Sequence, residues 1–218
     1  MKDLLDILGG LDMSSISVDE LEAILPNLGM NDEILHEMPT HLAPYYGKGL
    51  RFWQYPNQFS KYLKYLSGKD IGSYLEIGCR WGGTFVITSE VLKKRNSDIS
   101  LYCCDLIEPS SILMDYRTHQ DFEYLQGSSF SLSNSSSLNI DLVLIDGDHS
   151  YYGVRKDFEI SLQFNPKYVV FHDIFSDACP GVVQFWNEIK VSYPNHFEFT
   201  DQYDSVSGNF LGIGVIEL

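Results

Sequence analysis

From about residue 71 to residue 218, short apolar runs alternate with segments of helical spacing, and this alternation confines the fold to a sheet covered by helices. Ser73–Gly78 reads as a short buried strand, residues 84–95 as a helix, and Ile99–Cys104 as a second strand that ends on Asp105. Phe122–Leu125 is a third strand, and Asp141–Ile145 a fourth that is almost wholly apolar and leads into a helix over 151–163. Tyr168–Phe171 is a fifth strand, followed by a helix over 180–192, and Phe197–Thr200 and Phe210–Ile216 close the series. Parallel neighbours need a long crossover, usually a helix. The last two strands lack one, so one of them runs antiparallel. The expected fold class is α/β: a doubly wound, Rossmann-like, seven-stranded and mostly parallel sheet with a helical N-terminal extension.

Residues 1–70 form that extension. Leu4, Leu5, Ile7 and Leu8 give a short apolar face, ended by Gly9-Gly10. Ser17-Val18-Asp19-Glu20 fits a capping box ahead of Leu21, Ile24 and Leu25, and Pro26 and Gly29 punctuate its end. Asn31–Met38 reads as another short helix, Tyr45–Pro56 as an aromatic loop or lid, and Phe59, Tyr62, Leu63 and Leu66 as one face of a helix stopped by Gly68. Tyr45, Tyr46, Phe52, Trp53 and Tyr55 admit two roles, stacking on a substrate or packing the helices onto the sheet. Dimerisation through this segment, giving a homo-oligomer, is a third. The division is therefore 1–70, extension or lid, and 71–218, ligand-binding domain. Residues 128–137 hold seven serines and read as a surface loop or frayed helix inside that domain.

Lys and Arg number 15 against 30 Asp and Glu, a net charge of −15. Such a surface repels a phosphate backbone and an anionic lipid surface, so neither nucleic acid nor membrane is an expected partner. No uninterrupted apolar stretch reaches the ~18 residues of a spanning helix. Cys79, Cys103, Cys104 and Cys179 form no C-x-x-C pair, and Met1-Lys2-Asp3 opens no signal-type apolar core, so the expected location is cytoplasmic, with reduced thiols.

The chemistry gathers at strand ends. Glu76-Ile77-Gly78-Cys79-Arg80-Trp81-Gly82-Gly83-Thr84 lies where a strand hands over to a helix, where glycines permit a tight turn and close approach to a ligand. Its spacing is not G-x-G-x-x-G, and an acid two residues before the first glycine suits a ligand with a cationic group. Asp105 ends the next strand, where an acid can accept both ribose hydroxyls. Asp146-Gly147-Asp148-His149-Ser150 and His172-Asp173 follow two neighbouring apolar strands. Two carboxylates and two imidazoles there can hold a divalent cation. The plainer alternative is that Asp146 and Asp148 cap the following helix while His172 is an interior residue.

With these motifs in place the sequence resembles the class I S-adenosylmethionine-dependent methyltransferases, and within them the group of macrocin-type sugar O-methyltransferases and cephalosporin-hydroxylase-like proteins. The stretches that carry the resemblance are Leu75-Glu76-Ile77-Gly78 with Gly82-Gly83, Asp105, Gly127-Ser128, Ile145 through Tyr151, Phe171-His172-Asp173, Pro180-Gly181-Val182-Val183 with Phe185-Trp186, and Asn209-Phe210-Leu211-Gly212. It implies that Glu76, Gly78 and Gly82 line the methionine part of S-adenosylmethionine, that Asp105 holds the ribose, and that Gly127, Ser128 and Ser129 lie near the adenine. Asp146, also beside the donor, would ligate a metal with His172 and Asp173, Mg²⁺ or another divalent cation. Asp148 or His149 would be the base for the acceptor hydroxyl. His172 stands where metal-dependent relatives often carry a second acid, a departure that admits a softer ion.

The implied activity is methyl transfer from the sulfonium to a hydroxyl of a sugar or other small-molecule acceptor. A bound cation lowers the pKa of an alcohol and orients it, and a sugar diol can chelate it with two oxygens. A nicotinamide (NAD)-dependent oxidoreductase is a second enzymatic reading, against which the glycine spacing speaks. A third is a non-catalytic protein that binds an adenosyl ligand, against which the acids at 146, 148 and 173 stand.

Overall fold

The computed structural model describes residues 1–33, 35–134 and 138–218. Its seven strands are β1 (Ser73–Ile77), β2 (Ser100–Asp105), β3 (Glu123–Gln126), β4 (Leu142–Ile145), β5 (Tyr168–His172), β6 (His196–Phe199) and β7 (Ile213–Glu217). They join one sheet in the order β3-β2-β1-β4-β5-β7-β6. The first five are parallel, and β7 is the antiparallel strand, pairing in that sense with both β5 and β6. Helices α1 (Lys2–Gly10), α2 (Val18–Ile24), α3 (Pro56–Ser67), α4 (Gly83–Lys93), α5 (Ser111–Arg117), α6 (Tyr151–Ser161) and α7 (Pro180–Ile189) cover it.

The central strands β1, β4 and β5 are buried on both faces because helices cover both. Alternation along each strand sorts the core into two clusters. Tyr74, Leu142, Leu144, Val170 and Val215 pack with the N-terminal helices, α4 and α5. Leu75, Ile77, Val143, Ile145, Val169, Phe171 and Ile216 pack with α6 and α7. The first cluster runs without a break from Leu8, Leu21 and Leu25 through Phe59, Tyr62 and Leu66 to the sheet. Gln58 of α3 strengthens the junction, donating to the Asp201 carbonyl at 2.8 Å and accepting from the Gly212 amide at 3.0 Å.

The capping box at Ser17 is present, with the Ser17 side chain accepting from the Glu20 amide and the Glu20 carboxylate accepting from the Ser17 amide. Three local expectations change. Asn31–Met38 contains only the single 3-10 turn Leu35–Glu37, with residue 34 outside the described residues. Residues 45–55 are tied down: the Met30 amide donates to the Tyr45 carbonyl and the Asn31 amide to the Phe52 carbonyl, both at 3.0 Å. Of the five aromatics there, Phe52 and Tyr55 are fully buried, and Trp53 alone reaches the cleft described below. α5, which the periodicity does not announce, follows the N-cap Ser110, whose hydroxyl accepts from the Leu113 amide at 3.2 Å. In the serine-rich stretch, Ser129–Asn134 is a short 3-10 helix, and residues 135–137 lie outside the described residues.

The segment 50–52 crosses the N-terminus of α4 so closely that a Cβ on Gly83 would stand 2.3 Å from the Leu50 carbonyl oxygen and 2.6 Å from the Phe52 nitrogen. Both obstacles are backbone and cannot swing aside. Gly83→Ala is therefore expected to destabilise the protein by ~1–3 kcal/mol, as overpacking does, read as a lower urea midpoint. An unchanged midpoint would show that the crossing is loose.

Candidate active site

β1 is flanked by β2 on one side and β4 on the other, so the chain order reverses there, and open α/β sheets bind ligands outside the carboxyl ends of such strands. A cleft of about 840 Å³ lies at that rim. Glu76, Gly78, Gly82, Asp105, Gly127, Ser128, Ser129, Asp146, Asp148, His149, His172 and Asp173 all line it.

The turn after β1 is built on Gly78, whose φ of +87° favours glycine. A Cβ there would lie 2.0 Å from the Asp146 carbonyl oxygen, so the ends of β1 and β4 touch through backbone alone. Asp105 closes the floor of the next strand: Oδ2 accepts from the Arg80 amide at 2.7 Å and Oδ1 from the Ile107 amide at 3.2 Å. Each oxygen retains a lone pair for a further donor. Ser128 and Ser129 sit beyond Gly127, and the Ser129 hydroxyl donates to Asp157.

Glu76 is the most buried acid of the site, 1% exposed, and accepts a hydrogen bond from the Tyr74 hydroxyl. Burial pushes its carboxyl up to about 8 against the stabilising Tyr74 bond, with the Asp146 charge adding to the rise.

Asp146, His149, His172 and Asp173 form a second group. Asp146 Oδ1 is 3.1 Å from His172 Nδ1 and 3.2 Å from His149 Nε2. Asp173 Oδ2 is 3.2 Å from His172 Nδ1 and 3.6 Å from His149 Nε2. Asp173 has a φ of +61°, uncommon for a non-glycine residue. His172 Nε2 is 3.2 Å from the Trp53 carbonyl oxygen, while Nδ1 is buried and, though close to both carboxylates, is aligned for a hydrogen bond with neither. Burial opposes ionisation of Asp146, yet His172 and His149 hold its carboxyl down at about 2. Hydrogen bonding to Asp146, then to Cys179, pushes His149 up to about 11. Burial disfavours the His172 cation, but Asp146 and Asp173 outweigh it and raise the imidazole well above its usual range. With no metal bound, both imidazoles thus carry protons at pH 7, and His149 is then an acid. Asp148 stands on the exposed rim, with Oδ1 accepting from the Ser150 amide at 2.9 Å.

The sequence reading did not single out four further lining residues. Asp157 is 6% exposed and supports the Ser129 loop, and burial raises its carboxyl. Its signal is a charged residue among Val154, Phe158 and Ser161 on the buried face of α6. Cys179 Sγ lies 3.4 Å from Asp173 Oδ2 and 3.5 Å from His149 Nδ1. Arg80 stacks over Trp53 at 5.5 Å while gripping Glu33 at 2.8 and 2.9 Å, and Arg51 stacks over Trp81 at 4.1 Å. These pairs join residues far apart in the chain, and no local pattern marks them.

Residues 75–174 match the family model described as a methyltransferase domain. The matched segment runs from within β1 through β5 and contains every site residue named from the sequence. Solved structures share its Rossmann-like methyltransferase fold. The O-methyltransferase TomG from Streptomyces achromogenes, solved with S-adenosylmethionine, is 15% identical, with 76% of this chain covering 81% of that one at a TM-score of 0.56. An O-methyltransferase from Bacillus cereus, solved with S-adenosylhomocysteine, is 15% identical, with 100% of this chain covering 96% of that one at a TM-score of 0.55. No curated protein sequence matches the chain. Among the described residues, no helix is long and apolar enough to cross a membrane.

The raised Glu76 carboxyl has a stability consequence. A carboxyl near 8 in the folded chain and near 4.5 when unfolded favours folding fully below pH 4.5, and that contribution is lost as pH rises through 8. Glu76→Gln is expected to melt with the wild type near pH 4 and above it at pH 8. Equal melting temperatures at both values would mean that Glu76 ionises freely.

Proposed function

We propose that the protein is an S-adenosylmethionine-dependent O-methyltransferase acting on a hydroxyl of a sugar or other small oxygen-rich acceptor. One observation carries the reading: in a segment that matches a methyltransferase-domain model, a buried acid, a strand-end aspartate and an acid–imidazole cluster share one cleft.

The donor supplies a methyl group on a cationic sulfur and an α-ammonium. Glu76, protonated near pH 7 when nothing faces it, ionises against such a cation and orients it. Asp105 accepts from two vicinal hydroxyls while its other lone pairs stay on the Arg80 and Ile107 amides. Ser128 and Ser129 border the far end of the cleft. Trp53 and Trp81, braced by Arg80 and Arg51, supply flat apolar walls that exclude water and suit the faces of a sugar ring. Positioning of the reacting atoms is the main work left to such residues, worth up to ~7–11 kcal/mol in ideal cases.

The residues at 146, 172 and 173 fit a divalent metal. His172 Nδ1 faces two carboxylate oxygens without hydrogen-bond geometry, the arrangement of groups that share a cation. A bound metal would lower the pKa of an acceptor hydroxyl and fix its oxygen. Asp148, open on the rim, then takes the hydroxyl proton.

The reading is tested by titrating the protein with S-adenosylhomocysteine and with NAD, then following label from S-adenosylmethionine into a panel of glycosides. S-adenosylhomocysteine is expected to bind, NAD to fail, and a hydroxyl to be methylated. Asp105→Ala is expected to weaken S-adenosylhomocysteine binding at least about tenfold, since hydrogen bonds to a charged acceptor are worth ~1.5–3 kcal/mol each. Unchanged affinity would remove Asp105 from the site, and binding of NAD alone would overturn the assignment.

A further inference from the structure

The cluster at the ends of β4 and β5 contains more nitrogen than a magnesium site uses. Asp146 Oδ1, His172 Nδ1, Asp173 Oδ2 and His149 Nε2 form a closed ring in which oxygen and nitrogen alternate, with edges of 3.1, 3.2, 3.6 and 3.2 Å. For ligand bonds of about 2.1 Å, adjacent donors stand ~3.0 Å apart around an octahedral ion and ~3.4 Å apart around a tetrahedral one. The ring edges fall at or beside that range. Mg²⁺ is held by one or two carboxylates, substrate oxygens and retained waters, whereas imidazole suits zinc and its neighbours in the first transition row.

Resting on the methyltransferase reading above, we infer that this site holds a nitrogen-binding transition ion of the Zn²⁺ class instead of Mg²⁺, with His149 as a fourth ligand beside Asp146, His172 and Asp173. Three features support it independently. His172 is 5% exposed, and its Nδ1 is a buried atom with no hydrogen bond. Its other nitrogen lies 3.2 Å from the Trp53 carbonyl oxygen; a hydrogen bond there fixes the tautomer that leaves Nδ1 free to ligate. His149 is oriented in the same sense: Nδ1 faces Cys179 Sγ at 3.5 Å, and Nε2, hydrogen-bonded to Asp146 Oδ1 at 3.2 Å, is directed to the two carboxylates. Both histidines therefore present one nitrogen to the ring and anchor the other outside it. His149 as a ligand cannot also be the base, which assigns proton removal to Asp148.

The test uses the untagged full chain, stripped with EDTA and titrated separately with Zn²⁺ and Mg²⁺ by calorimetry, and with Co²⁺ by visible absorption. The expected result is one Zn²⁺ per chain, bound at least ~100-fold more tightly than Mg²⁺. The Co²⁺ complex should show the strong visible bands of a low-coordinate ion. His149→Ala, a change at a side chain 45% exposed, should weaken Zn²⁺ binding by at least about tenfold. His172→Gln should do the same, with a melting curve to check that the buried change leaves the fold intact. Preference for Mg²⁺, absence of one-to-one binding by any of the three ions, or unaltered Zn²⁺ affinity in a folded His149→Ala variant would overturn the inference. S-adenosylhomocysteine binding by the stripped protein separates the two readings. Its retention alongside metal failure leaves the methyltransferase proposal standing, and its loss in the metal-loaded protein counts against that proposal itself.

Discussion

The site depends on a backbone contact. β1 and β4 run side by side, and at their carboxyl ends the Asp146 amide donates to the Ile77 carbonyl at 2.8 Å while the Asp146 carbonyl oxygen occupies the space a side chain at position 78 would need. Glycine at 78 lets the two strand ends close to this distance. Because they do, the acid on β1 and the acid after β4 face one cleft, and the surroundings of Glu76 and Asp146 are set together. A side chain at 78 would force the ends apart and separate the two halves of the chemistry, whatever happened to the helices around them.

Once joined, the halves solve opposite electrostatic problems. Glu76 points into the apolar layer with Tyr74, and burial keeps its proton on although the His172 charge opposes that. Asp146 is more open, but it faces two imidazoles, so its proton is lost readily. Two carboxyl groups on adjacent strands thus sit on either side of neutrality, one held protonated by burial and the other committed to its imidazole partners. The net charge of −15 over the rest of the chain disfavours anionic ligands at long range, but these local arrangements decide what enters the cleft.

What could be read in the sequence was what is local. β1, β4 and β5 announce themselves because a strand covered on both faces is apolar throughout, and the glycine bend and strand-end acids follow at fixed short offsets. The Ser17 capping box needs only four consecutive residues. α5 escaped because seven residues with two buried side chains, Leu113 and Tyr116, give too little period to detect, and only the capping serine marks it. The last strand was expected to start at Phe210. It starts at Ile213 because Leu211 and Gly212 both adopt positive φ, and the Leu211 carbonyl accepts from the Phe175 amide instead of pairing in the sheet. The aromatic segment at 45–55 read as a loop because its order comes from distant partners, the backbone of residues 29–31 and the N-terminus of α4.

The same distinction between local and distant determines which role His149 can take. Its neighbours in the sequence, Asp146 and Asp148, make it look like a member of an acid–base pair, and sequence spacing offers no reason to prefer one acid over the other. The fold adds two partners from the next crossover, Asp173 and Cys179, and these surround the ring on the sides that Asp146 leaves open. A histidine among so much negative charge holds its proton or a metal; either state leaves no free lone pair for a substrate proton. Asp148, two residues beyond Asp146 but turned out to the Ser150 amide, escapes that enclosure and stays open to solvent. The geometry thus separates the enclosed His149 from the exposed Asp148 within one short turn, a separation that follows from what β5 brings alongside β4.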